Sequence, residues 1–213
     1  MNRTELADLR RDFSSAGLSE ELVAASPFEQ FTHWMDEALR AEIIDANAMT
    51  LSSVGEDGRP SARVVLLKHF AEDGFAFYTN YGSKKGQDLT ANPQAVLHFF
   101  WPQLDRQAAI YGSVERTSRE ESEKYFRSRP IESQLSAWAS NQSGVVASRA
   151  VLEKRVEELR EEFGDDVPLP DFWGGFRLTP DKFEFWQGRQ NRLHDRIVYL
   201  LDGGEWKIMR LAP

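Results

Sequence analysis

No cysteine occurs among the 213 residues. That absence excludes disulfides, thiolate nucleophiles and cysteine-held iron–sulfur clusters. Histidine is scarce too: His33, His69, His98 and His194 are scattered, and none falls in a metal-ligand spacing such as HExxH. No metal site is therefore expected. Basic residues are outnumbered, 26 against 34 acidic, for a net charge of -8. A protein that tracks a nucleic-acid backbone carries a basic excess, so nucleic acid is not an expected partner. No stretch approaches the ~20 apolar residues of a membrane span, and the opening MNRTELADLRRDF lacks the apolar centre of a signal peptide. The expectation is a cytoplasmic protein without a membrane partner. A glycine-rich dinucleotide fingerprint and a P-loop are missing as well.

What is present is the balance of a soluble globular chain, 41% apolar and 28% charged. Residues 1–25 are polar, with a short helical pattern at Leu6, Leu9 and Phe13; they read as an N-terminal arm, either mobile or ordered against another surface. Residues 26–213 read as a single domain with helical insertions. SPFEQFTHWMDEAL predicts a helix with Ser26 as cap, Pro27 at the first position and Glu29 closing a capping box. Its apolar stripe would be Phe28, Phe31, Trp34, Met35 and Leu39. From Ala48 to Val114 the period shortens to that of strands, with Asp-Gly turns in GEDGRP and AEDG. Such short connections imply antiparallel pairing. GSKKGQDLTANP interrupts this run as a short helix. Residues 118–163 are helical, opening on a capping pattern from Ser118 to Glu121, and three further strands follow. The fold class expected is mainly β with flanking α-helices, an antiparallel barrel closed or nearly so.

Several clusters could carry chemistry. Arg63 precedes four apolar residues, an expensive place for a charge unless an anion meets it. In a regular strand Arg63 and Lys68 would face opposite sides. Ser83, Lys84 and Lys85 sit at a strand end opening a helix, which suits a phosphate, although a solvated lysine pair on a turn is the plainer reading. Tyr125, Arg127, Arg129 and Ser133 combine the donor types that clasp a phosphate ester, and a solvated helix face is the rival account. Gln142 and Ser143 add an amide and a hydroxyl. In RLHDR, read as a strand, Arg192, His194 and Arg196 share one face, and an anionic ligand would relieve their mutual repulsion. A salt-bridged strand on a barrel rim accounts for the same pattern. Residue chemistry alone thus reaches an anion-binding barrel with as many as two phosphate sites, and names no cofactor.

The words RVVLLK, FYTNYGSKKG, KYFRSRPIESQ, WASNQS, VPLPDFWGGFR, EFWQG, RLHDR and WKIMRLAP occur in this order. From about Leu9 to the C-terminal RLAP the chain resembles the pyridoxine (pyridoxamine) 5′-phosphate oxidase family. That resemblance implies a homodimeric split β-barrel with FMN at the subunit interface. It implies FMN contacts from Arg63, Val64, Val65, Leu66, Leu67, Lys68, Tyr78, Thr79, Lys84 and Lys85. Gln107, Gln142, Ser143, Trp186 and Arg196 would complete that site, partly from the other subunit. The substrate would meet Arg10, Lys68, Tyr125, Arg129 and Ser133, with Arg192, Leu193 and His194 beside its ring and Arg192 and His194 in catalytic roles. The implied reaction oxidises pyridoxine 5′-phosphate or pyridoxamine 5′-phosphate to pyridoxal 5′-phosphate. Dioxygen is the electron acceptor, and hydrogen peroxide, with ammonia from the amine, is released. Two positions depart from the family pattern: Lys84 stands where arginine is frequent, and Phe13 where a tyrosine can close over substrate. A flavin reductase and a non-catalytic flavin- or haem-binding barrel are the alternatives. Neither needs both the Tyr125–Ser133 cluster and the Arg192–His194 pair.

Overall fold

The structure, a computed structural model, describes Phe13 and residues 17–213. The rest of the expected N-terminal arm up to residue 16, Arg10 included, lies outside the described residues.

Helix α1 (Pro27–Arg40) buries Phe31, Trp34, Met35 and Ala38 along one face. Leu39, expected on that stripe, is 58% exposed, because the face runs through Ala38 instead. The expected Ser26 cap is also corrected. Its side chain makes no capping bond, and the Gln30 N–H donates to the Ser26 carbonyl at 3.0 Å. Pro27 has no N–H to satisfy and pre-sets the first turn, so the helix starts without that cap.

Strands β1 (Ala48–Val54), β2 (Pro60–Leu66), β3 (His69–Ala71), β4 (Gly74–Asn80), β5 (Gln94–Trp101) and β6 (Arg106–Arg116) follow, with α2 (Lys84–Ala91) between β4 and β5. The single helical stretch expected over 118–163 resolves into α3 (Arg119–Ser128), α4 (Ile131–Ala139) and α5 (Arg149–Phe163). Pro130 lacks an N–H and ends the first of these. Strands β7 (Trp173–Gln187), β8 (Asp195–Asp202) and β9 (Glu205–Leu211) complete the chain. The strand order is β2-β1-β5-β6-β7-β4-β3, with β8 pairing β7 and β9. The β1–β2, β3–β4, β7–β8 and β8–β9 ladders are antiparallel, as their short connections require, and the long-range β4–β7 ladder is antiparallel too. The expected class, a mainly β antiparallel fold with helices, is the one found.

The chain divides into two compact units, one within residues 1–47, 98–110 and 181–213, the other 48–97 and 111–180. The first has an aromatic core: Phe31 meets Phe99 at 5.1 Å between ring centres, and Trp34 meets Phe185 at 5.1 Å. In the second, Phe126, Leu135, Leu159, Val167, Leu169 and Trp173 form a buried cluster that anchors α3, α4 and α5. Among the described residues, no helix is long and apolar enough to cross a membrane, and no group of three or more His, Asp or Glu could hold a metal ion.

Candidate active site

The unit formed by residues 48–97 and 111–180 holds a cavity of about 600 Å³. Small-molecule sites run from roughly 300 to 1,000 Å³. Strand β2 contributes Arg63, Val64, Val65 and Leu66, with Lys68 just beyond it. Tyr78 and Thr79 come from the end of β4, Lys85 from the first turn of α2, and Tyr125 and Arg129 from α3 and its C-terminal cap. Gln142 and Trp173 complete the lining.

Arg63 and Lys68 face the same cavity, against the expectation for a continuous strand. The strand stops at Leu66, and the Lys68 N–H donates to the Ala76 carbonyl at 2.9 Å, so the alternation is broken between them. Leu67 is the residue this turns inward, into the core rather than the cavity.

Arg63 is met by an anion from the chain itself. Its Nη1 donates to the Leu51 carbonyl at 3.1 Å and to Ser53 Oγ at 2.8 Å, and its Nη2 donates to Ser61 Oγ. Asp88 Oδ2 stands 4.0 Å from Nη2 and accepts from both serines, at 3.1 and 2.8 Å. Asp88 is only 3% exposed. Burial pushes its carboxyl up, but hydrogen bonds from Lys84, Ser61 and Ser53 outweigh that and hold it below the ordinary value. Sequence reasoning missed Asp88. The Lys84–Asp88 spacing is visible as an i, i+4 pair, but the two serines reach it only through the β1–β2 register.

Lys85 donates to Gln142 Oε1 at 2.8 Å, Thr79 Oγ1 at 3.3 Å and Ser83 Oγ at 3.4 Å. Burial, and then the charge of Arg63, lower its pKa. Two cations that penalise each other in one cavity mark a place for an anion. Lys84 points elsewhere. Its ammonium pairs with Asp88 and lines a separate cavity with Glu56 and Asp57, while its N–H donates to Ser143 Oγ at 3.2 Å. Neither Lys84 nor Ser143 lines the larger cavity, and neither does Ser133 in the first turn of α4.

The guanidinium of Arg129 lies over the Trp173 ring at 4.8 Å and the Phe126 ring at 5.6 Å. Its Nη1 is buried with no hydrogen-bond partner among the described residues. Desolvation lowers its pKa. Tyr125 stacks on Tyr78 at 4.0 Å, and the Tyr78 hydroxyl donates to Glu121 at 3.3 Å. Burial and the Glu121 carboxylate push the Tyr78 phenol up to about 12. Trp173 was not foreseen from the sequence: GDDVPLPDFWGG reads as a loop, whereas β7 already begins at Trp173.

The remaining candidates belong to the other compact unit. RLHDR is not a continuous strand there. Gln190–Arg192 forms a 3₁₀ turn, Asn191 and Arg192 have positive φ of 56° and 60°, and β8 begins only at Asp195. The expected shared face of Arg192, His194 and Arg196 is therefore lost to the turn. Arg192 and Leu193 are exposed. His194 Nδ1 accepts from the Arg189 N–H at 3.0 Å, and its ring lies 4.6 Å from Trp186 and edge-on to Phe13 at 5.3 Å. Arg196 grips Glu184 through Nε at 2.8 Å and Nη2 at 2.7 Å, and donates to the Ala212 carbonyl at 2.9 Å. Asp195 accepts from Arg210 at 2.6 Å and from the Leu18 N–H at 3.0 Å. Gln107 meets His98 Nε2 at 3.0 Å.

Residues 35–163 match the family described as pyridoxamine 5′-phosphate oxidase, and residues 173–213 match the pyridoxine 5′-phosphate oxidase C-terminal dimerisation region. The chain is 54% identical over 213 residues to the pyridoxine/pyridoxamine 5′-phosphate oxidase of Burkholderia lata, covering 99% of this chain and 100% of that one. It is 54% identical over 209 residues to the protein of the same name from Bordetella petrii, covering 98% and 99%. Among solved structures, PhzG from Burkholderia lata in complex with tetrahydrophenazine-1-carboxylic acid superposes with a TM-score of 0.88 at 29% identity, covering 94% of this chain and all of that one. A pyridoxamine 5′-phosphate oxidase-related, FMN-binding protein from Nostoc punctiforme shares the fold, with a TM-score of 0.72 at 17% identity and 90% of this chain covered, 100% of that one. Matched along nearly its whole length by family and relatives alike, the chain belongs to the pyridoxine/pyridoxamine 5′-phosphate oxidase family.

Proposed function

We propose that this enzyme oxidises pyridoxine 5′-phosphate and pyridoxamine 5′-phosphate to pyridoxal 5′-phosphate, with FMN as cofactor and as a homodimer. Family membership and full-length relatives at 54% identity support the reaction. The match to a C-terminal dimerisation region supports the dimer. The observation that carries the site is the cavity in which Arg63, Lys68, Lys85 and Arg129 converge, with Arg129 Nη1 buried and unpartnered. Such an atom costs free energy unless an anion arrives to accept from it.

The donor set fits FMN. Arg63 and Lys85 would hold its phosphate, Thr79 and Gln142 offer neutral polar groups for its hydroxylated chain, and Val64, Val65 and Leu66 give an apolar wall for a flat ring. FMN supplies a two-electron acceptor that dioxygen regenerates with release of hydrogen peroxide. Arg129, Tyr125 and Lys68 of the cavity lining would grip the substrate phosphate, and that grip would orient the carbon to be oxidised. Ser133, outside that lining, would join them only by the family resemblance. By the family resemblance, Arg192 and His194 would act on the substrate ring. Because His194 Nδ1 accepts from the Arg189 amide, the neutral imidazole carries its proton on Nε2 and presents it as a donor.

The test is an absorbance spectrum of the purified protein followed by an aerobic assay with pyridoxamine 5′-phosphate. A flavin spectrum and equimolar aldehyde and peroxide are expected. Protein that stays inactive after reconstitution with FMN would refute the reading.

A further inference from the structure

We propose that Asp88 is a positioning residue for the anion site: through Ser53 and Ser61 it fixes the Arg63 guanidinium, and it holds Lys84 away from the cavity. The proposal rests on the reading of Arg63 as a cofactor-phosphate ligand. The β1–β2 register sets Ser53 opposite Ser61 and Leu51 opposite Arg63. Residues two apart on a strand share a face, so Ser61 and Arg63 stand side by side with Ser53 across from them. Each serine hydroxyl has one proton and two lone pairs. Both hydroxyls donate to Asp88 Oδ2, at 3.1 and 2.8 Å, which leaves a lone pair on each for an N–H of Arg63. The carboxylate thus sets the direction of both hydroxyls, and the hydroxyls set the guanidinium. Its other oxygen, Oδ1, takes the Lys84 ammonium. The turn after β1 is shaped around this carboxylate: a Cβ on Gly55 would come within 2.5 Å of Oδ1.

The sign of one substitution separates positioning from plain charge. A carboxylate near a phosphate site repels the phosphate, so by charge alone Asp88→Asn would tighten FMN binding. If Asp88 positions Arg63, the same change weakens it. Flavin-free protein is titrated with FMN and with riboflavin, which lacks the phosphate, following flavin fluorescence. Asp88→Asn is expected to weaken FMN about tenfold, the scale of coupling between contacting residues, and to leave riboflavin unchanged. The Ser53→Ala/Ser61→Ala double variant, which keeps the Lys84–Asp88 pair, is expected to do the same and carries the test if Asp88→Asn does not fold. In an Arg63→Ala background the effect of Asp88→Asn should vanish. Tighter FMN binding, or equal loss of both flavins, overturns the proposal. Arginine side-chain NMR of flavin-free protein reads the positioning without any ligand, as slowly exchanging Arg63 Nη signals that both variants lose. If Arg63→Ala binds FMN as the wild type does, the phosphate reading fails, while loss of those signals still upholds the hold of Asp88 on Arg63. Signals unchanged in both variants overturn it.

Discussion

A guanidinium packed against Trp173 and Phe126 with a buried, unpartnered nitrogen has given up hydration without a full replacement. On the proposed reading, the replacement for Arg129 would arrive with the substrate phosphate. Arg129→Ala is expected to cost roughly 2–5 kcal/mol in kcat/KM for pyridoxamine 5′-phosphate, as for loss of one partner in a buried charged contact. Arg129→Lys should recover only part, because an ammonium offers a point charge rather than a fork. Steady-state kinetics check this, and an unaltered kcat/KM for Arg129→Ala contradicts it. Arg192 stores cost in its backbone instead, with φ at 60°. Glycine adopts that conformation without the side-chain clash, so Arg192→Gly should keep or gain stability, by up to about 1 kcal/mol. Turnover should nevertheless fall. A variant that turns over as the wild type does removes Arg192 from the mechanism.

Helix α3 carries Tyr125 and ends at Arg129, and its start is fixed by Ser118, whose Oγ accepts the Glu121 N–H at 3.0 Å. Ser118→Ala should therefore cost about 1 kcal/mol in denaturant unfolding, whereas Ser26→Ala, with no capping bond to lose, should cost a few tenths. Equal losses would contradict the difference. The docking of α2 on the β1–β2 turn depends on ionised Asp88. Its folded pKa is lowered, so its contribution is complete above its ordinary value near 3.8 and is lost as pH falls through the lower folded value. Acid unfolding of Asp88→Asn should show a flatter limb below that pH; an unchanged slope contradicts it. These elements also show what was legible in the sequence. The Ser118 cap and the costly charge at Arg63 are local patterns, and local patterns survive folding. The turn at Gln190–Arg192 holds no Gly or Pro of its own, and its signals, Gly188 just before it and Asn191 within it, are weak, so RLHDR read as a strand. The burial of Asp88 depends on Ser53 and Ser61, 35 and 27 residues away in sequence, and no spacing rule reaches that far.

Over the whole molecule, a chain of net charge -8 gathers Arg63, Lys68, Lys85 and Arg129 around one cavity, so the average conceals the site. Val64 remains 68% exposed on the cavity wall, a cost that a second protomer would remove. The FMN-loaded protein is expected to sediment as a dimer and to release flavin when diluted to monomer; a monomer that retains flavin equally well contradicts the proposed assembly. The central claim is most directly tested by mixing FMN-loaded protein with pyridoxamine 5′-phosphate without oxygen and watching the visible flavin band. The account predicts bleaching by the substrate alone, and recovery with peroxide when oxygen is admitted. A band untouched by the substrate but bleached by a reduced nicotinamide would contradict it.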